Sequence, residues 1–179
     1  MSTAAKLFGA PEEATADLRG TLDWLRAEGD LIETDVEVDP DLEVTGLQKH
    51  MDGACPVLFN NVKGKPQHRV VTNLFGDMNV INKMFGWEND RHRTEMLAHA
   101  IRNPLAPVVI DQADAPCQEE IFENPADVNE FLVPIRHTDV EPELTVGSGI
   151  RVVSGEYFDG GTDLGYNRMN FRWGNVGTF

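Results

Sequence analysis

Residues 160–169 read GGTDLGYNRM and bring glycines, a carboxylate and a guanidinium close together in the chain. Glycine allows backbone conformations that are closed to other residues, Asp163 can bind a hard cation through oxygen, and the planar guanidinium of Arg168 matches a phosphate or a carboxylate. Beyond this stretch, Asn170 and Arg172 alternate with apolar residues. This period of two predicts a strand that carries Arg168, Asn170 and Arg172 on one face.

The residues alone leave the relation between Asp163 and Arg168 open. If the strand is extended from one to the other, the two side chains lie on opposite faces, whereas a turn or a bulge at Gly165 would bring them together. The stretch then fits either a ligand-binding strand or a hairpin with a surface ion pair. An exposed ion pair contributes only about 0–1 kcal/mol to stability.

The composition limits the partners of the chain. With 179 residues, of which 41% are apolar, it can form one sizeable core or one domain and part of a second. Its formal net charge of -15, from 30 acidic and 15 basic residues, repels nucleic-acid phosphates and anionic membranes, so we expect neither as a partner. No apolar run approaches the roughly 20 residues of a membrane span, and the first residues lack a signal-peptide core. Cys55 and Cys117 are far apart without metal-ligand spacing, so we expect a cytoplasmic protein with reduced, buried thiols.

Apolar periodicity and chain breakers predict the secondary structure of the N-terminal part. Residues 1–16 show no clear period and are expected to form a loose arm, or one that only a partner orders. Helices are predicted from Asp17 to Gly29, from Leu42 to Met51, from Val80 to Phe85 and from Arg91 to Arg102. Strands are predicted over residues 31–38, 56–62, 69–75 and 108–110. Because helices and strands alternate, residues 17–125 are expected to form an α/β or α+β domain.

A second domain is predicted over residues 126–179. A helix with an Asn-Pro start is predicted over residues 126–131, and an acidic linker follows over residues 139–144, so the domain boundary is expected within residues 121–145. Gly149–Val153 then begins a mainly antiparallel sheet. A sheet with these strands alone would leave its edges exposed, so we expect the second domain to be incomplete.

The stretch around Gly165 resembles a family signature. Residues 163–168 resemble the Asn-x-Gly-x-x-Arg motif of UbiD-type decarboxylases: Gly165 and Arg168 match, and Asp163 stands where the family has a metal-ligating Asn. Other segments resemble the same family in the same order, namely residues 18–31, 38–45, 56–64 and 71–76. The resemblance extends from Asp17 to about Trp173, and members of the family are considerably longer.

The resemblance implies a function and its cofactors. UbiD-type enzymes reversibly decarboxylate aromatic or α,β-unsaturated carboxylic acids through prenylated FMN, which is bound together with a divalent Mn or Fe ion and K+. By this resemblance Arg168 is catalytic, Tyr166, Asn167 and Arg168 contact the cofactor, and Asp163 is the metal ligand. A carboxylate at this position keeps an oxygen ligand and adds a negative charge. Residues 126–179 then correspond to the start of a split β-barrel that binds the flavin.

The resemblance also implies that the chain is the N-terminal portion of a larger enzyme. Two catalytic glutamates, the remaining metal ligands and an oligomerisation domain are expected beyond residue 179. The complete protein is then expected to be a homo-oligomer, and residues 1–179 alone are expected to be inactive. The departures from the family at Asp163 and Asn167 leave the identity of the acid open, with an aryl-CoA substrate as one option.

Two other functions fit the sequence. A non-catalytic subunit or interaction module would use exposed sheet edges to pair with another chain. An FMN-binding oxidoreductase could use a similar small barrel, because the lack of a Gly-x-Gly-x-x-Gly motif argues only against a dinucleotide fold. The histidines are scattered without metal-ligand spacing and are interpreted as surface or packing residues: His50, His68, His92, His99 and His137.

Overall fold

The computed structural model describes residues 10–106, 108–123, 127, 130–141, 145–154, 162–173 and 176–178. The chain divides into two compact units, of which the first takes in residues up to 32, 53–57 and 73–123, and the second residues 33–52, 58–72 and those from 124 onward. Helices and strands are both present, which confirms the mixed α/β class. The domain bounds drawn from the sequence stay a prediction, and half of the residues of the helix predicted over residues 126–131 lie outside the described residues.

Along the described part of the chain, the α-helices are α1 (Glu12–Ala16), α2 (Leu18–Glu28), α3 (Glu43–His50), α4 (Met78–Phe85) and α5 (Asp90–Arg102). The β-strands are β1 (Ile32–Thr34), β2 (Val57–Phe59), β3 (Val70–Thr72), β4 (Thr145–Ser154), β5 (Thr162–Trp173) and β6 (Val176–Thr178). Strands β1, β2 and β3 form one sheet in that order, and β4, β5 and β6 form another. None of the helices in this part of the chain is long and apolar enough to cross a membrane.

Helices α2 and α4 are bounded by the same pair of caps. The carboxylates of Asp17 and Asp77 each accept a main-chain N–H of the first turn at 2.7 Å. Each helix ends at a glycine in the left-handed conformation, Gly29 with φ 76° and Gly86 with φ 64°. Because these caps are local hydrogen-bond chemistry, the bounds predicted for both helices from the sequence are confirmed within two residues.

The core of the first unit includes part of the segment that was expected to be a loose arm. Ala10 and Ala14 are buried in a cluster that contains Leu25 and Met84. The N–H of Ala10 donates to the carbonyl of Met84 at 2.9 Å, and the hydroxyl of Thr21 donates to the carbonyl of Ala14 at 2.7 Å. The expectation is therefore wrong from Ala10 onward. The single methyl group of an alanine adds little to the apolar periodicity of a sequence, but its small volume lets the main chain approach the cluster closely.

The strand predicted over residues 108–110 is wrong. These residues are not in a strand, and Val108 and Val109 are exposed. Their β-branched side chains favour an extended chain, but a strand also needs a neighbour with which to form hydrogen bonds. The nearby Pro104 has no main-chain N–H to contribute to such a pairing.

Both cysteines are free thiols, as expected, but they differ in burial. Cys55 is partly buried and Cys117 is exposed. The expectation of buried thiols is therefore wrong for Cys117, because it lies in a short exposed 3₁₀-helix, Pro116–Gln118.

In the second unit, helix α3 starts from a strained turn. Leu42 has a φ of 71°, which residues with a Cβ rarely adopt, and the N–H of Glu43 donates to the carbonyl of Asp41 at 3.0 Å across it. Such a conformation costs about 1–3 kcal/mol. The turn is held by main-chain bonds on both sides: Arg136 N–H donates to Pro40 O at 3.1 Å, and Leu42 N–H donates to Arg136 O at 3.2 Å.

The second sheet is antiparallel, and the strand predicted over Ile150–Val153 is confirmed as part of β4. Val146 pairs with Met169 and Gly149 pairs with Asn167, so β4 has one extra residue opposite Arg168 of β5. This is a β-bulge, which bends the strand that carries it and increases the local twist. Arg168 therefore lies opposite the bend of β4.

Replacing Leu25 by alanine is expected to lower the free energy of unfolding by about 2–5 kcal/mol, because the change removes methyl groups from a fully buried position. Leu18→Ala on the same helix is the matched control, since Leu18 is 50% exposed and its loss should cost no more than about 0.5 kcal/mol. Urea unfolding followed by circular dichroism measures both. Equal losses in the two variants would show that the Leu25 cluster is not the core of the first unit.

Candidate active site

A loop between Ile135 and Thr145 places the ionisable side chains of the candidate site. Ile135 N–H donates to Thr145 O at 2.8 Å, and Thr145 N–H donates back to Ile135 O at 2.9 Å. These two bonds form an antiparallel bridge at the start of β4. Within the loop, the N–H of Glu141 donates to the carbonyl of Thr138 at 3.2 Å. The resulting turn brings the side chain of Glu141 back to His137.

Glu141 is the centre of this cluster. Its Oε2 accepts the main-chain N–H of His137 at 2.7 Å, and its Oε1 accepts a hydrogen bond from Nη1 of Arg168 at 3.0 Å. The side chain of Glu141 is only 10% exposed, whereas that of Arg168 is 60% exposed. The carboxylate is thus held within the loop, and the guanidinium that it contacts reaches the surface.

The ring of His137 completes the cluster, and its tautomer follows from its neighbours. Nδ1 lies 3.4 Å from Oε2 of Glu141 and 3.0 Å from Oγ1 of Thr145. Because a carboxylate only accepts hydrogen bonds, we assign the proton of the neutral ring to Nδ1. The hydroxyl of Thr145, which is 1% exposed, can then accept from Nδ1 and donate to Ile135 O at 3.2 Å.

The surroundings of Glu141 favour its ionised form. The main-chain N–H of His137 lowers the pKa of Glu141 below its ordinary value of 4.5, and the nearby side chains of His137 and Arg168 lower it further. Partial burial acts in the opposite direction and raises the pKa, but it does not outweigh these contacts. Glu141 is therefore an anion at neutral pH, and its contact with Arg168 is an ion pair.

Arg168 shares its face of the sheet with exposed apolar side chains. Along β5, exposed Leu164, Tyr166 and Arg168 alternate with less exposed residues. The register pairs Leu164 with Val152 and Tyr166 with Ile150, which are exposed as well. We call Ile150, Val152, Leu164 and Tyr166 the apolar face. With a guanidinium at one end, it fits a ligand that combines a flat apolar ring with an anionic group.

The predicted site residues are spread along β5. This strand is continuous, and its pairing with β4 shows no bulge at Gly165. Asp163 and Arg168 are five positions apart, which corresponds to about 17 Å of extended chain. Asn167 lies between Tyr166 and Arg168 in the strand and therefore on the other face. Its Oδ1 lies 3.3 Å from the position that a Cβ on Gly165 would take. Tyr166 and Arg168 therefore share the exposed face, Asn167 does not, and Asp163 is too far along the strand to form an ion pair with Arg168.

Within the described residues, the acid that pairs with Arg168 is Glu141 and not Asp163. The sequence interpretation placed Glu141 in an acidic linker and assigned it no role, whereas its side chain is mostly buried. No apolar period marks Glu141, because a closed loop positions it rather than a helix or a strand. The local signal that was available is the spacing of four residues from His137 to Glu141 and again from Glu141 to Thr145.

The described side chains fit an anion better than a metal ion. Among them, no three His, Cys, Asp or Glu residues lie close enough together to hold a metal. His137 and Glu141 supply two ligands, whereas a protein site for a transition metal usually has three or four. Asp163 pairs with Val153 through the main chain, and its side chain is outside the described set. A guanidinium beside an apolar face suits a ligand that joins a flat ring to an anionic group, as a flavin nucleotide or an aromatic acid does.

Glu141→Gln is expected to reduce the acid sensitivity of the fold. Because the pKa of Glu141 is lowered on folding from 4.5, its ionisation contributes stability that is present above that value and is lost as the pH falls through the folded value. The wild type should therefore lose more stability than the variant as the pH falls below about 4.5. Thermal unfolding across this range measures the difference, with Asp139→Asn, an exposed acid of the same loop, as control. Parallel curves for wild type and Glu141→Gln would contradict this expectation.

Proteins of known activity match the chain in sequence. Residues 22–101 match the family described as the 3-octaprenyl-4-hydroxybenzoate carboxy-lyase N-terminal domain, UbiD_N. The gallate decarboxylase of Lactiplantibacillus plantarum is 32% identical over 172 residues, which cover 86% of this chain and 34% of the relative. Ferulic acid decarboxylase 1 of Candida dubliniensis is 29% identical over 140 residues, which cover 66% of this chain and 27% of the relative.

Solved structures share the fold over most of the chain. The UbiD-class enzyme HmfF from Pelotomaculum thermopropionicum, in complex with FMN, matches with a TM-score of 0.77 and 26% identity, over 88% of this chain and 35% of that one. The 3,4-dihydroxybenzoic acid decarboxylase AroY from Klebsiella pneumoniae matches with a TM-score of 0.78 and 26% identity over the same shares of the two chains, 88% and 35%. The chain spans about a third of the length of these relatives. By sequence and by fold, the chain is similar to the N-terminal portion of UbiD-class enzymes.

Proposed function

We propose that this chain is the N-terminal, cofactor-binding part of a UbiD-type carboxy-lyase that reversibly decarboxylates aromatic or α,β-unsaturated carboxylic acids with prenylated FMN. The observation that carries the proposal is the guanidinium of Arg168 at the end of the apolar face. The relatives support it: three of them are named as decarboxylases of gallate, ferulic acid and 3,4-dihydroxybenzoic acid, and HmfF structures were solved with FMN and with prFMN.

The charge distribution suits this function. The phosphate of a flavin nucleotide and the carboxylate of the substrate are both anions, and a chain with a net charge of -15 must offer them a local cation. Arg168 is such a cation, and its planar fork can bind an anion through two parallel hydrogen bonds. The apolar face beside it keeps water away from a bound ring, which strengthens the interaction between the guanidinium and the anion.

In this proposal the residues of β5 have separate roles. Arg168 is catalytic: it orients the acid group and stabilises the negative charge that develops when the bond to the carboxyl carbon breaks. Tyr166 and Asn167 contact the cofactor, and Asp163 is a ligand of a divalent Mn or Fe ion that is bound together with K+. When bound, prenylated FMN supplies the electron sink that decarboxylation requires. The complete enzyme is a homo-oligomer that assembles through residues beyond 179, and residues 126–179 begin its flavin-binding barrel.

A non-catalytic interaction module is the second candidate function. The apolar face favours it, because exposed apolar patches often mark sites that another protein covers. The two functions differ in their response to flavin. A cofactor-binding domain acquires the absorbance of prenylated FMN after loading and gel filtration, whereas an interaction module elutes without it.

Arg168→Ala in the complete protein is expected to lower kcat/KM by about 10²–10³, because one pre-positioned donor to a developing charge contributes about 3–4 kcal/mol. Arg168→Lys should recover only part of this loss, since it restores the charge without the fork. Arg91→Ala is the matched control, because Arg91 is an exposed arginine paired with Glu95 at 2.8 Å on α5. Turnover is measured on a panel of aromatic and α,β-unsaturated acids and one aryl-CoA. Unchanged turnover and flavin content in Arg168→Ala would decide for a simple surface ion pair.

Asp163→Ala is expected to lower the metal content of the complete protein, and flavin content with it, because the proposed ligand is lost. Asp163→Asn is the matched variant, since it restores the residue of the family motif and should retain metal. Elemental analysis by mass spectrometry after dialysis, together with flavin absorbance, measures both variants. Equal metal content in the wild type and Asp163→Ala would remove Asp163 from the metal site.

A further inference from the structure

We propose that Glu141 is a positioning residue for Arg168, holding the guanidinium in one orientation at the end of the apolar face. The inference rests on the proposed function, in which Arg168 meets the cofactor and the substrate. It is carried by three observations: how the two carboxylate oxygens of Glu141 are used, how differently the two partners are exposed, and where the bulge of β4 lies.

The two oxygens of Glu141 have separate tasks. Oε2 accepts the main-chain N–H of His137 at 2.7 Å, which ties the side chain to the backbone of its own loop. Oε1 accepts from Nη1 of Arg168 at 3.0 Å. The orientation of the carboxylate is therefore set by the loop and is passed to the guanidinium by a single hydrogen bond. A guanidinium has five N–H donors, so this one bond leaves it the capacity to bind an anion.

The burial of the acid distinguishes this contact from the other Lys and Arg ion pairs among the described residues, in which the acid side chain is at least 27% exposed. Arg91 and Glu95 are both well exposed, and so are Arg26 and Asp23. In the pair with Arg168, the acid is 10% exposed and the base is 60% exposed. A long exposed arginine samples many rotamers, and a fixed acid bonded to its guanidinium removes much of that freedom before a ligand binds.

The bulge of β4 gives the third observation. Gly147 and Ser148 together oppose Arg168, which is the one position where the β4–β5 register shifts. Bulges re-aim the side chains near them and are common beside active sites. Arg168 is thus adjusted at its main chain by the bulge and at its guanidinium by Glu141.

Substitutions of Glu141 can separate position from charge. A glutamine has an NH2 donor in place of one carboxylate oxygen, so it cannot keep both the bond from the His137 N–H to Oε2 and the bond from Arg168 Nη1 to Oε1 in this geometry. An aspartate keeps the charge but is one methylene shorter, and it cannot reach both partners from the same main-chain position. If Glu141 acts by fixing the position of the Arg168 guanidinium, both variants lose function. If it acts only through its negative charge, Glu141→Asp keeps the function that Glu141→Gln loses.

The test is a double-mutant cycle in the complete protein, with the dissociation constant of prenylated FMN and kcat/KM as readouts. Glu141→Gln and Glu141→Asp are each expected to weaken flavin binding or turnover by about tenfold in the wild-type background and to have no further effect in Arg168→Ala, because coupled residues are not additive. Asp139→Asn, an exposed acid of the same loop, should behave as the wild type. A second readout needs no flavin. Phenylglyoxal should modify Arg168 faster in Glu141→Gln than in the wild type, and peptide mass mapping measures the rate.

The outcomes separate this inference from the proposed function. Additive effects of the Glu141 and Arg168 variants, full activity of Glu141→Asp, or an unchanged modification rate of Arg168 overturns the positioning role alone. A wild-type protein that binds no flavin overturns the proposed function and the role of Glu141 with it. Non-additive losses together with faster modification of Arg168 establish the role.

Discussion

The pair of main-chain hydrogen bonds between Ile135 and Thr145 is the constraint on which the candidate site depends. They hold both ends of the loop that contains His137 and Glu141, so the carboxylate of Glu141 meets the His137 N–H instead of water. The neighbouring Arg136 is bound through its main chain to Pro40 and Leu42. One short segment thus joins the start of β4 to the strained turn before α3, and its position is set from two sides. The strain at Leu42 persists because these bonds over-determine the turn.

The ion pair of the site contributes more to geometry than to stability. Moving a carboxylate out of water is costly, and the attraction of a partner often does little more than offset that cost. The hydrogen bond from the main-chain N–H of His137 offsets much of the desolvation cost of the Glu141 carboxylate, and Arg168 remains largely in water. The net contribution of the pair to folding is therefore small, while its effect on the direction of the guanidinium is large. This is the balance expected where a fold places a charge for a ligand rather than for its own core.

The sequence predicted what local chemistry decides and missed what distant contacts decide. Asp17 and Gly29 cap α2 through bonds within a few residues, so pattern and caps were sufficient there. The burial of Ala14 and the ion pair of Glu141 both depend on residues far away in the chain. Neither contact produces a periodic spacing of apolar residues that could be recognised in the sequence. The signature that ends at Arg168 singles out the exposed guanidinium that forms the ion pair with Glu141. It could not reveal the acid that holds it, because Glu141 enters from a loop 27 residues earlier.

The register of β5 sets a condition on any ligand of the site. Arg168 lies about 17 Å along the strand from Asp163, since each extended residue adds about 3.4 Å. The exposed side chains between them, Leu164 and Tyr166, are apolar or aromatic. A compact anion can therefore contact Arg168 alone, whereas an elongated ligand with a ring can extend from the guanidinium along Tyr166 to Leu164. Such a ligand needs the guanidinium of Arg168 to stay at one end of the apolar face, and the hydrogen bond to Glu141 restrains it there.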